Sequence, residues 1–174
     1  MLPWVSLSFA ASLAGVTLPD VSTVGGTAVT LNGIGLREKY FIDVYVGGLY
    51  LVHPTHDGAA VISSDEHKRV EMHFVYGEVT RDQMVSSFQA DFASQPGFEN
   101  TQKYTDQIVR WLPNSVKRGD VIAFEYAPGG GTRMIYNGST LGTVADPGFA
   151  KLVFGVYVGA KPPTEALKRG LLGL

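Results

Sequence analysis

Strand-type and helix-type segments occupy separate blocks of this chain, and that segregation restricts the fold more than any single motif does. Ala28 to Leu51 reads as strands: Val29, Leu31 and Ile34 come first, then a run from Tyr40 rich in Tyr, Val, Phe and Ile. Lys68 to Tyr76 is a second extended run. Its Val70, Met72, Phe74 and Tyr76 alternate with Arg69, Glu71 and His73, the period of a half-buried antiparallel strand. Helices follow. Thr80 and Gln83 are spaced as a capping box, each satisfying a first-turn amide, and Met84, Val85, Phe88 and Phe92 form one apolar face that Pro96-Gly97 ends. Thr101 to Leu112 is a second helix, stopped by Pro113. Val121 to Tyr126 and Thr132 to Tyr136 return to strand across a Pro-Gly-Gly-Gly loop, and Asn137-Gly138 turns the chain into Leu141 to Val144. Asp146 with Pro147 opens a helix carrying Phe149, Leu152, Val153, Val156 and Tyr157. Pro162-Pro163-Thr164 opens the last one. Strands, helices, strands, helices: the order predicts an α+β fold in which a large antiparallel sheet is covered by a layer of helices.

The 174 residues fit one domain, and 45% hydrophobic against 17% charged residues supplies one sizeable core. Fourteen Lys and Arg stand against sixteen Asp and Glu, for a net charge of −2. Nucleic-acid binding is not expected, because it needs a basic face to displace counterions from phosphates. Cysteine is absent, which removes disulfides, thiolate nucleophiles and Cys-based zinc sites. Met1 to Gly15 carries no charge and is too short to span a bilayer as a helix. It reads as the apolar part of a secretory signal with Ser12-Leu13-Ala14 at the cleavage site, or as an N-terminal strand packed on the core. Residues 16–174 then form the domain. The signal reading implies a periplasmic or secreted protein; the strand reading leaves it cytoplasmic.

Motifs for nucleotide, zinc-protease and serine-hydrolase chemistry are missing. Gly33-Ile34-Gly35 is a fragment of a dinucleotide loop with no helix opening after it. His53, His56, Asp57, Asp65, Glu66 and His67 are metal-ligand types, but Pro54 and Gly58 mark an exposed turn without a rigid ligand spacing, so no metal is expected there. Asp65-Glu66 and Lys68-Arg69 read as a solvated turn, and His73 as a surface residue. More informative are Arg37, Asp43, Tyr45 and Tyr50. An arginine offers a planar fork for a carboxylate or an enolate-like oxygen, and a tyrosine hydroxyl adds a neutral donor. The same residues also suit plain strand positions, with Arg37 paired to Glu38 or Asp43 at the surface. Arg37 and Tyr45 meet over one ligand only if the chain reverses between them, since eight extended residues span roughly 26 Å. Glu38-Lys39 is the expected reversal, giving a hairpin of residues 29–37 and 40–51.

Leu31 to Leu51, with its Gly-x-Gly-x-Arg and Val44-Tyr45-Val46-Gly47-Gly48-Leu49-Tyr50-Leu51, resembles the bacterial branch of the chalcone isomerase-like family. The resemblance continues through Arg69-Val70-Glu71-Met72, Gly119-Asp120, Tyr126-Ala127-Pro128, Asn137-Gly138, Phe154-Gly155-Val156-Tyr157-Val158-Gly159 and Leu167 to Gly173. It covers about residues 16–174. It implies an open-faced β-sandwich, a large antiparallel sheet with helices layered on one side. Plant chalcone isomerases close a flavanone ring in a pocket lined by an arginine and a threonine, then a tyrosine and an asparagine. Fatty-acid-binding relatives keep the arginine and place a tyrosine at the threonine position. By this resemblance Arg37 matches the arginine and Tyr45 the threonine-or-tyrosine position, while Val79 and Ser86 stand where the enzymes carry the tyrosine and asparagine.

The resemblance therefore implies a non-catalytic pocket for a fatty acid or similar apolar carboxylate, held by Arg37 and Tyr45. Phe41, Phe74, Phe88, Phe92, Leu152 and Val156 are the candidate lining. The alternative is an intramolecular lyase (isomerase) of chalcone isomerase type acting on an enone or flavonoid-like phenol, with Arg37 and Tyr45 as catalytic groups. A third reading is a scaffold whose pocket is filled. No cofactor is expected, and the expected state is a monomer.

Overall fold

In the computed structural model, which describes residues 10–174, strands and helices run β1 (Ala10–Leu13), β2 (Val16–Pro19), β3 (Val21–Val24), β4 (Thr27–Lys39), β5 (Ile42–Leu51), α1 (Gly58–Ser63), β6 (Lys68–Phe74), β7 (Glu78–Thr80), α2 (Arg81–Ala93), α3 (Gln102–Trp111), β8 (Ser115–Lys117), β9 (Val121–Ala127), β10 (Gly131–Tyr136), β11 (Ser139–Val144), α4 (Pro147–Val158) and α5 (Glu165–Leu171). Seven strands form one antiparallel sheet in the order β11-β10-β9-β6-β5-β4-β3, and β1–β2 and β7–β8 form two small ribbons. The architecture is α+β, a large curled antiparallel sheet with helices on one face. Of the apolar N-terminal stretch, residues 1–9 lie outside the described residues. Ala10–Leu13 pairs with Val16–Pro19 across a turn at Ala14-Gly15, where the φ values are 47° and 80°.

The caps are local and set the helix starts. Thr80 and Gln83 form the reciprocal capping box of α2. Asp146 accepts from the Gly148 amide with Pro147 in the first turn of α4, and Thr164 accepts from the Leu167 amide to start α5. Apart from exposed Lys151, helix α4 is apolar, and nine of its residues, Phe149 and Tyr157 among them, are buried. It is the centre of the helical layer rather than a surface helix. Between it and the sheet, Phe88, Phe92, Phe124 and Phe149 meet in tilted and edge-on pairs with centroids 5.9–6.4 Å apart.

The Gly33-Ile34-Gly35 segment is a seat for a helix. A Cβ at Gly33 would stand 2.2 Å from the Gly170 carbonyl oxygen, and one at Gly35 would stand 2.6 Å from that of Leu167. Helix α5 therefore rests on the bare backbone of β4, and it buries Leu167 and Leu171 there. Residues 33, 35 and 37 of β4 and 45, 47 and 49 of β5 share this helix-covered face.

The opposite face of the sheet is covered as well. A Cβ at Gly48 would lie 2.5 Å from Leu18 Cδ1 of β2 and 3.5 Å from Glu71 Cγ. This cover changes the expected surface character of the charged residues there. Arg69 donates to Glu71 at 2.6 Å and to Glu125, Arg133 also donates to Glu125, and His73 pairs with Glu71 at 2.8 Å. Lys68 is buried, not part of a solvated turn. Its ammonium donates to the carbonyls of Val61 (2.7 Å) and Ser64 (2.9 Å) at the end of α1, between the rings of Tyr126 and Phe154. Burial pushes its pKa down to about 8, against the pull of Asp65 and Glu66. Asp65 accepts from the Tyr126 hydroxyl. The segment read as an exposed turn also contains α1, capped by Asp57.

Candidate functional site

The chain reverses at Tyr40-Phe41, two residues beyond the expected Glu38-Lys39. Lys39 faces Ile42 across the turn, and Arg37 and Tyr45 are register partners of the β4–β5 ladder. Opposed residues of an antiparallel pair project to the same face. Both side chains accordingly reach one cavity of about 610 Å³, which lies between the sheet and α2. That volume falls in the range of small-molecule sites.

Its apolar wall is built from Val44, Met72, Phe74, Val79, Met84, Phe88, Ile122 and Tyr157. The polar side is supplied by Arg37, Lys39 and Tyr45 from the hairpin, and by Asp82, Gln83, Ser86, Ser87 and Asp91 from α2. Periodicity explains this division. Met84 and Phe88 are buried beneath α2, while Ser87 and Asp91, three positions after each and so near the same face, come to the cavity wall. Tyr45 stacks edge-on against Phe74, with centroids 5.7 Å apart.

Among the expected lining residues the structure brings Phe74 and Phe88 to the cavity. Phe92, Leu152 and Val156 are buried in the core behind it. Phe41 stands apart. It occupies the turn with φ 64° and is fully exposed, so its ring points to solvent and not into the cavity. Val79 and Ser86 both lie on the cavity wall. Tyr157, Met72 and Ile122 were not among the site candidates. The sequence signal for Met72 was its place two residues before Phe74 on one strand face.

The electrostatics follow from burial. Arg37 donates to the Glu38 main-chain carbonyl and takes part in none of the ion pairs found among the described residues. It is therefore not consumed by Glu38 or Asp43. Burial pushes the Tyr45 hydroxyl well above the usual phenol range, opposed only in part by Arg37. Tyr45 is thus a hydrogen-bond donor at neutral pH, not a phenolate base. Tyr157 is held protonated for the same reason, and its hydroxyl donates to Met72 Sδ at 3.2 Å. Half-buried Asp91 has its carboxyl raised by desolvation, against the pull of Arg37 and Lys39. His53 and Glu66 form an exposed pair at 2.8 Å, while His56 turns away to the Leu172 carbonyl at 2.6 Å.

Fold and cavity together define a class: an open-faced β-sandwich with a cavity between the sheet and a covering helix. A family model described as chalcone isomerase-like matches residues 10–173, and the chain belongs to the chalcone isomerase-like family. A fatty-acid binding protein of Arabidopsis thaliana is similar in structure. The TM-score is 0.79, with 16% sequence identity over 94% of this chain and 96% of that one, a likeness of fold. No curated protein matches the sequence.

Proposed function

We propose that this protein binds a fatty acid or a similar apolar carboxylate without catalysis, with the head group on Arg37 and Tyr45 and the chain among Phe74, Met84, Phe88 and Ile122. One observation carries this reading: a guanidinium with no ion-pair partner among the described residues and a protonated tyrosine are register partners on the wall of one largely apolar cavity. A planar fork and a neutral donor side by side suit the two oxygens of a carboxylate. The fatty-acid binding protein of similar fold supports the ligand class.

The lyase reading is weaker on chemical grounds. Val79 and Ser86, on the cavity wall, take the positions at which the resemblance places the enzymes' tyrosine and asparagine. A valine offers no hydroxyl, and a buried, protonated Tyr45 supplies no base.

Titration of the purified protein with a soluble fatty acid tests the proposal. Arg37→Ala should weaken binding by about 1.5–3 kcal/mol, the scale of a charge-assisted contact, and Arg37→Lys should restore only part. Tyr45→Phe should cost about 0.5–1.5 kcal/mol. A folded Arg37→Ala protein with parental affinity refutes the clamp. Cyclisation of a chalcone at a rate within about tenfold of a plant enzyme would favour the lyase, since a single lost transition-state donor typically costs 10²–10³ in rate.

A further inference from the structure

The tip of the β4–β5 hairpin breaks two rules at once. A two-residue turn with positive φ at both central positions is normally filled by Asn-Gly or a similar pair. Here it is filled by Tyr40 (φ 51°) and Phe41 (φ 64°), bulky residues for which the left-handed region is strained. The same side chains are also the most exposed large apolar groups among the described residues. Tyr40 is 85% exposed, Phe41 101%, and Ile42 beside them 45%. Neither the backbone nor the burial of these residues stabilises the fold, and a strained, exposed aromatic pair points to a role outside it.

We propose that the Tyr40-Phe41-Ile42 tip is a membrane-docking element that inserts into the headgroup layer of a phospholipid bilayer. Three observations favour a lipid surface over a protein. The first is size. Two aromatics and an isoleucine bury on the order of 500 Å² together, short of the roughly 800 Å² per partner of a stable protein interface. Exposed Glu38, Lys39 and Asp43 lie directly behind them and bound the apolar area along the hairpin, and Tyr76 (42% exposed), across the neighbouring cleft, extends it only partly. The second is shape. The tip protrudes and no described residue packs on Phe41, whereas a bilayer interface takes a protruding aromatic without a matching pocket and favours tyrosine at headgroup depth. The third is charge. The Lys39 ammonium sits 5.9 Å from the Tyr40 ring centre, and Arg118 shares the neighbouring cleft with Phe41 and partly exposed Tyr76. Lys39 and Arg118 thus flank the wedge as cations for lipid phosphates, while Glu38 and Asp43 pair one register position behind Lys39 and Ile42, Asp43 in the same cleft as Arg118.

The same hairpin lines the ligand cavity. Arg37 lies three residues behind Tyr40, roughly 10 Å along the strand, close to the depth of about 5–10 Å that interfacial elements reach. A docked tip sets the cavity mouth at the membrane surface, where an amphiphile with a carboxylate head resides. Exchange of ligand with the bilayer rests on the proposed binding function; docking does not.

Flotation with ligand-free vesicles of phosphatidylcholine and phosphatidylglycerol tests it. The parent protein should float with the vesicles, and the Tyr40→Asn/Phe41→Gly double variant should partition at least about tenfold more weakly. That variant restores the preferred turn pair, so loss of folding does not confuse the result. Its affinity for soluble fatty acid should be unchanged, because it leaves Arg37 and Tyr45 in place. A parent that stays at the bottom of the gradient overturns the proposal, as does a variant that floats equally well. So does concentration-dependent dimerisation lost in the variant without vesicle binding, which would make a second copy the occupant. A parent that floats but binds no fatty acid retains docking and removes the binding function.

Discussion

Replacing Gly33 by alanine tests the contact that fixes the helical layer to the sheet. A Cβ there would stand 2.2 Å from the Gly170 carbonyl oxygen and 2.6 Å from that of Leu171, both backbone atoms that no rotamer change can move. Helix α5 must retreat by about 1 Å to restore ordinary contact, and a gap of that size forfeits a quarter to a half of the packing across it. Leu167, Leu171 and Leu172 are buried by this helix end. At about 1.5–3 kcal/mol for each buried leucine, the loss is about 1–4 kcal/mol. The strand gains about 0.5–1 kcal/mol back, because alanine has less freedom to lose on folding than glycine. Gly33→Ala should therefore unfold at lower urea with an unchanged slope, and melt roughly 2–12 °C earlier. Gly77→Ala is the control. Nothing lies within 4 Å of a Cβ there, and its stability should stay within about 0.5 kcal/mol of the parent. If Gly33→Ala matches that control, α5 does not rest on the β4 backbone and the reasoning fails.

Two further outcomes follow from the charges. Asp91 costs stability once ionised, because its folded pKa is raised; that cost appears as pH rises through the raised value, so Asp91→Asn should stabilise the protein at neutral pH. The same change removes a like charge from the cavity wall and should tighten fatty-acid binding about two- to fivefold in titration calorimetry; a weakened affinity would mean that Asp91 holds the ligand. Buried Glu71 behaves oppositely. Although burial alone would raise its pKa, His73 and Arg69 hold it below the usual carboxylate range, so its contribution is lost as pH falls through that range. Glu71→Gln should cost about 1–3 kcal/mol at pH 7 in urea melts and progressively less in acid; a cost that does not shrink in acid would show that charge is not its cause.

What the sequence disclosed was chiefly local. Thr80 with Gln83, Asp146 with Pro147, and Thr164 each satisfy amides within their own first turn, so no distant contact is needed to read them. The alternation of β6 told which residues face the helices but not what covers the other face, because Leu18 comes from a hairpin fifty residues earlier. The reversal after β4 was misplaced for a physical reason: Glu38-Lys39 is polar, as turns usually are, and Tyr40-Phe41 is neither polar nor glycine-containing. Residue chemistry singles out Arg37 and Tyr45 together with Asp43 and Tyr50, and the family resemblance, not pattern, reduces that set to the pair. Nor did pattern distinguish lining from core. Phe88 and Phe92 lie on one face of α2 a turn apart, and only the tertiary packing of Phe149 against Phe92 puts one at the cavity and the other behind it.

The seat of α5 on β4 also governs how the protein is made. Gly33 and Gly170 touch in the folded molecule but are synthesised 137 residues apart, roughly 10–30 s at usual elongation rates. Throughout that interval the central hairpin exists without its cover, and the apolar face that α5 will close is open to water and to other nascent chains. Early contacts can form among β4, β5 and β6, yet the contact of α5 with β4 waits until residue 170 has emerged. A chain that stopped before α5 would therefore not be merely a shortened protein. It would yield a sheet with an exposed glycine track, a substrate for chaperones and proteases rather than a working pocket.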